Sequence, residues 1–205
     1  MYSETEYQKI CNDLKEIITK TNEPLEGNCV YKHLTFDVWD ILINKRKNYE
    51  TVSTGRKNIC EIGFNAGHSI VVMILNNPEA EYVLFDLGVH LYSKPCLKYI
   101  KKYFKDTKID VYWGDSTEML PKYISQNNAK FDLVHIDGSH RSKIYTQDWN
   151  NSITSLKSGG MLIFDDSDSV KVTDFLNSKV ISREVTEYLD ILKTSGYEHR
   201  VFVKK

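Results

Sequence analysis

The chain has 205 residues, 41% of them apolar and 27% charged, with a net charge of −1. That length fits one well-filled α/β domain, and the balanced charge gives no general electrostatic case for nucleic acid or a membrane surface. Four scattered cysteines with no C-x-x-C pair argue against a zinc site or a disulfide framework and fit a reducing, cytoplasmic setting. Ser3 followed by Glu6 is a capping-box pattern and opens a helix to about Lys20, with Tyr7, Ile10, Leu14, Ile17 and Ile18 on one face. Thr21–Asn28 breaks it, and a second helix is expected from Thr35 to about Asn48. The basic triplet Lys45-Arg46-Lys47 in that helix reads as a solvated face.

From residue 57 strands and helices alternate. The predicted strands are Asn58–Ile62, Tyr82–Asp86, Asp110–Trp113, Asp132–Ile136 and Met161–Phe164. The helices between them are His68–Asn76, Lys94–Phe104, Thr117–Gln126 and Ser142–Leu156. Short apolar strands without polar alternation suit a parallel sheet covered on both faces. The rhythm predicts a doubly wound α/β fold, whose ligands sit beyond the carboxyl ends of the strands. Val172–Leu192 reads as mostly helical, with a strand inside Glu184–Leu192 as the alternative, and Tyr197–Val203 reads as a last strand. One domain is expected over 1–205, with a helical cap at 1–50 and a core at 57–205. The start MYSETEYQKI is too polar for a signal peptide, and no apolar run approaches the roughly 20 residues that span a bilayer.

The most specific segment is NICEIGFNAG, Asn58–Gly67. A strand runs into a glycine turn, Gly63 to Gly67, and a helix opens at His68, offering free N–H groups there. The spacing is G-x-x-x-G rather than the dinucleotide fingerprint G-x-G-x-x-G, and Glu61 precedes it. An acid there suits a ligand with a cationic end better than a phosphate. Later strands also run out in acids: Asp86, Asp115 after Gly114, Asp137, and Asp165 with Asp166. Asp is common after strands as a turn or cap residue, which accounts for any one of these but not for all of them beside the glycine turn.

The order EIGFNAG, FDLG, GDS, FDLVHIDGSH, SGGMLIFDD, over residues 57–166, resembles the motifs of the class I S-adenosylmethionine-dependent methyltransferases. DGSH and GGMLIFDD are most similar to the metal-dependent small-molecule O-methyltransferases, of catechol and antibiotic-tailoring type. The resemblance implies a Rossmann-like, mostly parallel methyltransferase sheet. It implies that Glu61, Gly63 and Gly67 surround the methionine part of S-adenosylmethionine, with Phe64, Asn65 and His68 also binding the cofactor. Asp86 would bind the ribose, and Gly114, Asp115 and Ser116 would approach the adenine, with Asp137 also near the cofactor. Asp137, Asp165 and Asp166 would hold a divalent metal, expected to be Mg²⁺, since hard cations take oxygen ligands. Three carboxylates crowded together without a cation would repel one another.

His140 stands three residues after Asp137, where the catechol-type enzymes place a lysine base, and is open to reading as base or metal ligand. His135 reads as a buried core histidine. Tyr31, His33 and Trp39 are candidates for the acceptor pocket, with core packing favoured for Trp39. The expected partner is a small-molecule acceptor, and the expected state a monomer or homodimer. A dinucleotide dehydrogenase, a non-catalytic module on the same scaffold, and a methyltransferase acting on nucleic acid or protein remain as alternatives.

Overall fold

The computed structural model describes residues 3–32, 35–194 and 198–205. Helix α1 (Glu4–Thr19) starts at the Ser3 cap, whose hydroxyl accepts from the Glu6 amide at 3.3 Å. A single 3-10 turn, Asp40–Leu42, leads into α2 (Ile43–Ser53). The alternation follows: β1 (Asn58–Ile62), α3 (His68–Asn76), β2 (Glu81–Asp86), α4 (Ser93–Tyr103), β3 (Lys108–Trp113), α5 (Ser116–Asn127), β4 (Phe131–Ile136), α6 (Ser142–Ser155) and β5 (Leu156–Phe164). The chain closes with α7 (Val170–Ile181), β6 (Val185–Glu187) and β7 (Arg200–Lys204).

The strands form one sheet in the order β3-β2-β1-β4-β5-β7-β6. β1 to β5 pair in parallel, and β7 runs antiparallel between β5 and β6. The order reverses between β1 and β4, where such sheets open a crevice at their carboxyl ends. Alternate side chains divide the core in two. Ile59, Leu84, Leu133 and Ile163 pack under α1, α3 and α4, while Cys60, Phe85, Val134 and Leu162 face Leu120, Trp149 and Leu176 of α5, α6 and α7. Glu61 and His135 lie in register on neighbouring strands. Their side chains meet 2.9 Å apart, both fully buried.

Two expectations are corrected, and one alternative is decided. The second helix does not start at Thr35, because Tyr31 bridges Val38 and the amides of Lys32 and Trp39 bond to Asp37 and Val30, folding that segment back on itself. Glu184–Leu192 does carry a strand, β6, which completes the sheet edge against β7. Lys45 and Arg46 are buried, not solvated. Arg46 donates to the Cys29 carbonyl at 2.8 Å and to Glu4 at 3.1 Å. His33 and Tyr197 lie outside the described residues. No helix among the described residues is long and apolar enough to cross a membrane.

Candidate active site

The end of β1 is fastened to the ends of β4 and β2. The Asp137 amide donates to the Ile62 carbonyl and the Gly63 amide to the Phe85 carbonyl, each at 2.8 Å. The approach leaves no room for a side chain at Gly63: a Cβ there would stand 1.9 Å from the Asp137 carbonyl oxygen, and φ is +98°. Asn65 is also left-handed, at φ 51°. Asp86 ties the turn down, its two carboxylate oxygens accepting from the Asn65 amide at 2.8 Å and the Gly88 amide at 2.7 Å. The expected ribose ligand therefore also shapes the glycine turn.

Two cavities open from this junction. One, of about 500 Å³, runs over the ends of β1 to β4 and is lined by Asp86, Gly114, Asp115, Ser116, Gly138 and Arg141. The other, of about 380 Å³, lies beneath the N-terminal segment, lined by Tyr31, Trp39, Lys45, Tyr49, Phe64, Gly67, His68, His140, Asp165 and Asp166. Both include Glu26, Gly63, Asn65 and Asp137, so they are two compartments of one groove. Trp39, expected in the core, is half-buried and lines the second compartment.

Glu61 is the predicted site residue that reaches neither compartment. It points beneath the groove, where it accepts from Ser69 Oγ at 2.5 Å and meets His135 Nδ1 at 2.9 Å. Asp115 caps α5, accepting from the Thr117 amide and hydroxyl at 2.9 and 2.7 Å. These bonds hold its carboxyl below the usual range. Ser116 donates to Asp148 Oδ1 at 2.8 Å. Asp148, buried on α6 and not singled out in the sequence, is pushed up to about 6 by burial. His68 opens α3 and packs edge-on against Tyr31, with ring centroids 5.7 Å apart. Burial lowers it to about 4, so it is neutral.

Around Asp137 the second compartment is strongly charged. His140 Nε2 stands 2.9 Å from Asp166 Oδ2, and this bond raises the imidazole above its ordinary value. Asp166 reaches it from a left-handed residue, φ 50°. With Nε2 bonded to the carboxylate, Nδ1 is left as the basic nitrogen. Asp137 is raised by burial and by the neighbouring Asp165 charge.

Asp165 is bound on several sides. Lys45 Nζ lies 2.7 Å from Oδ1, the Tyr49 hydroxyl donates to Oδ2 at 3.0 Å, and His135 Nε2 is 3.8 Å away. Burial alone would raise Asp165, but the Lys45 and His135 charges hold it low. Burial likewise opposes charge on His135, yet the nearby Asp165 carboxylate and the bond to Glu61 raise it to about 10. Lys45 and Tyr49 are four residues apart on α2 and so share a helix face.

Among the described residues, the grouping whose ligand atoms lie close enough to share an ion is His135, Asp137 and Asp165, not Asp137, Asp165 and Asp166. Asp165 already carries the Lys45 ammonium. The residues do not fit a hard divalent cation in this arrangement.

The strand order, the antiparallel β7 and a groove over the ends of β1 and β4 define a class I methyltransferase fold. The family described as "Methyltransferase domain" matches residues 60–167. The chain belongs to this family. An O-methyltransferase from Bacillus cereus, solved in complex with SAH, superimposes with a TM-score of 0.71 at 16% identity, covering 96% of this chain and 91% of that one. The O-methyltransferase TomG from Streptomyces achromogenes, involved in tomaymycin synthesis and solved with SAM, gives 0.66 at 16% identity, covering 100% and 92%. In sequence, a tRNA (guanine-N(7)-)-methyltransferase from Pasteurella multocida is 31% identical over 115 residues, which are 51% of this chain and 43% of that enzyme. The match thus spans less than half of that relative.

Proposed function

We propose that this chain transfers the methyl group of S-adenosylmethionine to a hydroxyl oxygen of a small molecule. The observation that carries this reading is the two-compartment groove meeting at Gly63 and Asp137. The compartment over β1 to β4 would take the adenosine. Asp86 lies where ribose hydroxyls would sit, and Ser116 and the Asp115 carboxylate line the far end. The glycine turn leads the methionine portion toward the second compartment, which would take the acceptor between Tyr31, Trp39 and the charged floor. The SAH- and SAM-bound neighbours support the donor, and their description as O-methyltransferases supports oxygen as the acceptor atom.

In this reaction the acceptor oxygen loses its proton to Nδ1 of His140, whose other nitrogen is held by Asp166. The oxygen attacks the methyl carbon, a C–O bond forms, and the C–S bond breaks with its electron pair going to sulfur. The sulfonium becomes the neutral thioether of S-adenosylhomocysteine. Alignment supplies much of the rate, because two bound reactants replace a bimolecular encounter. The divalent metal implied by the motif resemblance is not part of this reading, since Lys45 already neutralises Asp165. The tRNA relative keeps an RNA acceptor as the second reading. The net charge of −1 and the carboxylates of the groove weigh against it. Four free, buried cysteines support a cytoplasmic location.

Calorimetry with S-adenosylmethionine and with NAD tests the donor, and S-adenosylhomocysteine release with hydroxylated small molecules or with tRNA tests the acceptor. Binding of NAD in place of S-adenosylmethionine would overturn the donor assignment. Product release with tRNA alone would overturn the acceptor assignment.

A further inference from the structure

We infer that Lys45 is the resident cation of this site, an internal ammonium standing where the motif resemblance expects a divalent metal, and that it orients the acceptor oxygen. The inference rests on the methyl-transfer reading for the word acceptor but not for the cation itself. Lys45 enters from α2, outside the strand-and-helix core that carries the methyltransferase motifs. Its Nζ lies 2.7 Å from Asp165 Oδ1, and its side chain is 5% exposed. Burial works against its charge, and the carboxylates of Asp165, Asp137 and Asp166 work for it, outweighing the burial. The three aspartates the motifs bring together therefore do have a cation among them.

An ammonium carries three donors. Asp165 takes one, and among the described residues no second partner is bonded to Lys45. The residue lines the acceptor compartment together with Tyr31, Trp39 and Leu42. A free N–H there can hold the acceptor oxygen as it gains negative charge, while His140 takes the proton. Tyr49 and His135 fix Asp165 from the other side, so the ammonium is anchored rather than mobile.

The test is a Mn²⁺ titration, read by the loss of the free-ion electron paramagnetic resonance signal, which needs no acceptor. Wild type is compared with Lys45→Met, a substitution that keeps an unbranched chain and removes the charge. The expected result is that Lys45→Met binds Mn²⁺ at least tenfold more tightly than wild type, because Asp137 and Asp165, which with His135 stand close enough to share an ion, lose their internal cation. A smaller ratio, or tighter binding by wild type, overturns the inference. Should Lys45→Met fold only when MnCl₂ is added, mass action gives the same supporting answer as a raised melting temperature. Should it fold under neither condition, the wild type decides: a dissociation constant in the low micromolar range overturns the inference, and a millimolar one upholds it. S-adenosylmethionine binding, measured on the same wild-type sample, reports separately on the methyl-transfer reading. Its failure would leave the metal titration interpretable.

Discussion

Gly63→Ala tests whether the strand junction is as close as the groove requires. A Cβ at this position would lie 1.9 Å from the Asp137 oxygen and 2.6 Å from its carbonyl carbon, both backbone atoms. An ordinary carbon–oxygen contact needs more than 3 Å, so the Asp137 backbone must retreat by about 1 Å or more. Retreat pulls on the 2.8 Å bond from the Asp137 amide to Ile62, and losing one buried backbone bond costs about 1–3 kcal/mol. The positive φ adds about 1–2 kcal/mol for any residue with a Cβ. The sum is about 2–5 kcal/mol, a large share of the roughly 5–15 kcal/mol that holds a domain folded. Gly55→Ala is the control: its φ is +71°, but a Cβ there meets nothing within 4 Å, so only the backbone cost applies. Urea unfolding of the two variants isolates the clash. If Gly63→Ala is within about 1 kcal/mol of Gly55→Ala, the close approach is not what requires glycine.

His140→Ala is expected to lower turnover by about 10²–10⁴ with S-adenosylmethionine binding unchanged, as read by product release and calorimetry. Because the base must be neutral, wild-type turnover should fall as pH drops through the His140 value, which the Asp166 bond holds above 6.5; Asp166→Asn should move that acid limb to lower pH, and an unmoved limb would refute the pairing. Asp86→Ala should weaken S-adenosylmethionine binding at least tenfold, since the Asn65 and Gly88 amides lose their acceptor along with any ribose bond. His68 and His199 are both lowered by burial from 6.5 to about 4. Their folded forms resist protonation, so their contribution is complete above pH 6.5 and falls away as pH drops toward 4, by about 3 kcal/mol for each. Chemical unfolding at pH 7 and pH 4.5 checks the sign.

The strands and the glycine turn were legible because their signals are local. An apolar run ending at Gly63, and another ending at Asp137, specify strand ends whatever else the chain does. The anchoring of Asp165 was not legible in that way, because Lys45 and Tyr49 act on it from more than 100 residues away. The segment INKRKNYETVS reads as polar, and the triplet at Lys45 suggested solvent. A usable signal was present in the spacing: Leu42, Lys45, Tyr49 and Val52 fall three, four and three apart and are all buried, so a lysine sits within an otherwise apolar stripe. Glu61 was misplaced for a related reason. It is the penultimate residue of β1, and strand alternation turns it away from the groove and under α3. The N-terminal hairpin around Tyr31 and Val38 was missed because Phe36, Trp39 and Leu42 also fit a helix face.

The buried pair of Glu61 and His135 also bears on how the chain finds its fold. The strands flanking the crevice are short and mostly apolar, so one alignment of β1 on β4 looks much like the next to the hydrophobic effect alone. Sliding either strand by one residue would carry its charged member to the opposite face, among Trp149, Leu162 and Phe202. The partner would be stranded beneath α3, and an unpaired buried charge costs several kcal/mol. The pair therefore acts as a checksum on strand alignment: misaligned sheets are penalised before any ligand is present, and the aligned one delivers Gly63 and Asp137 to the same point.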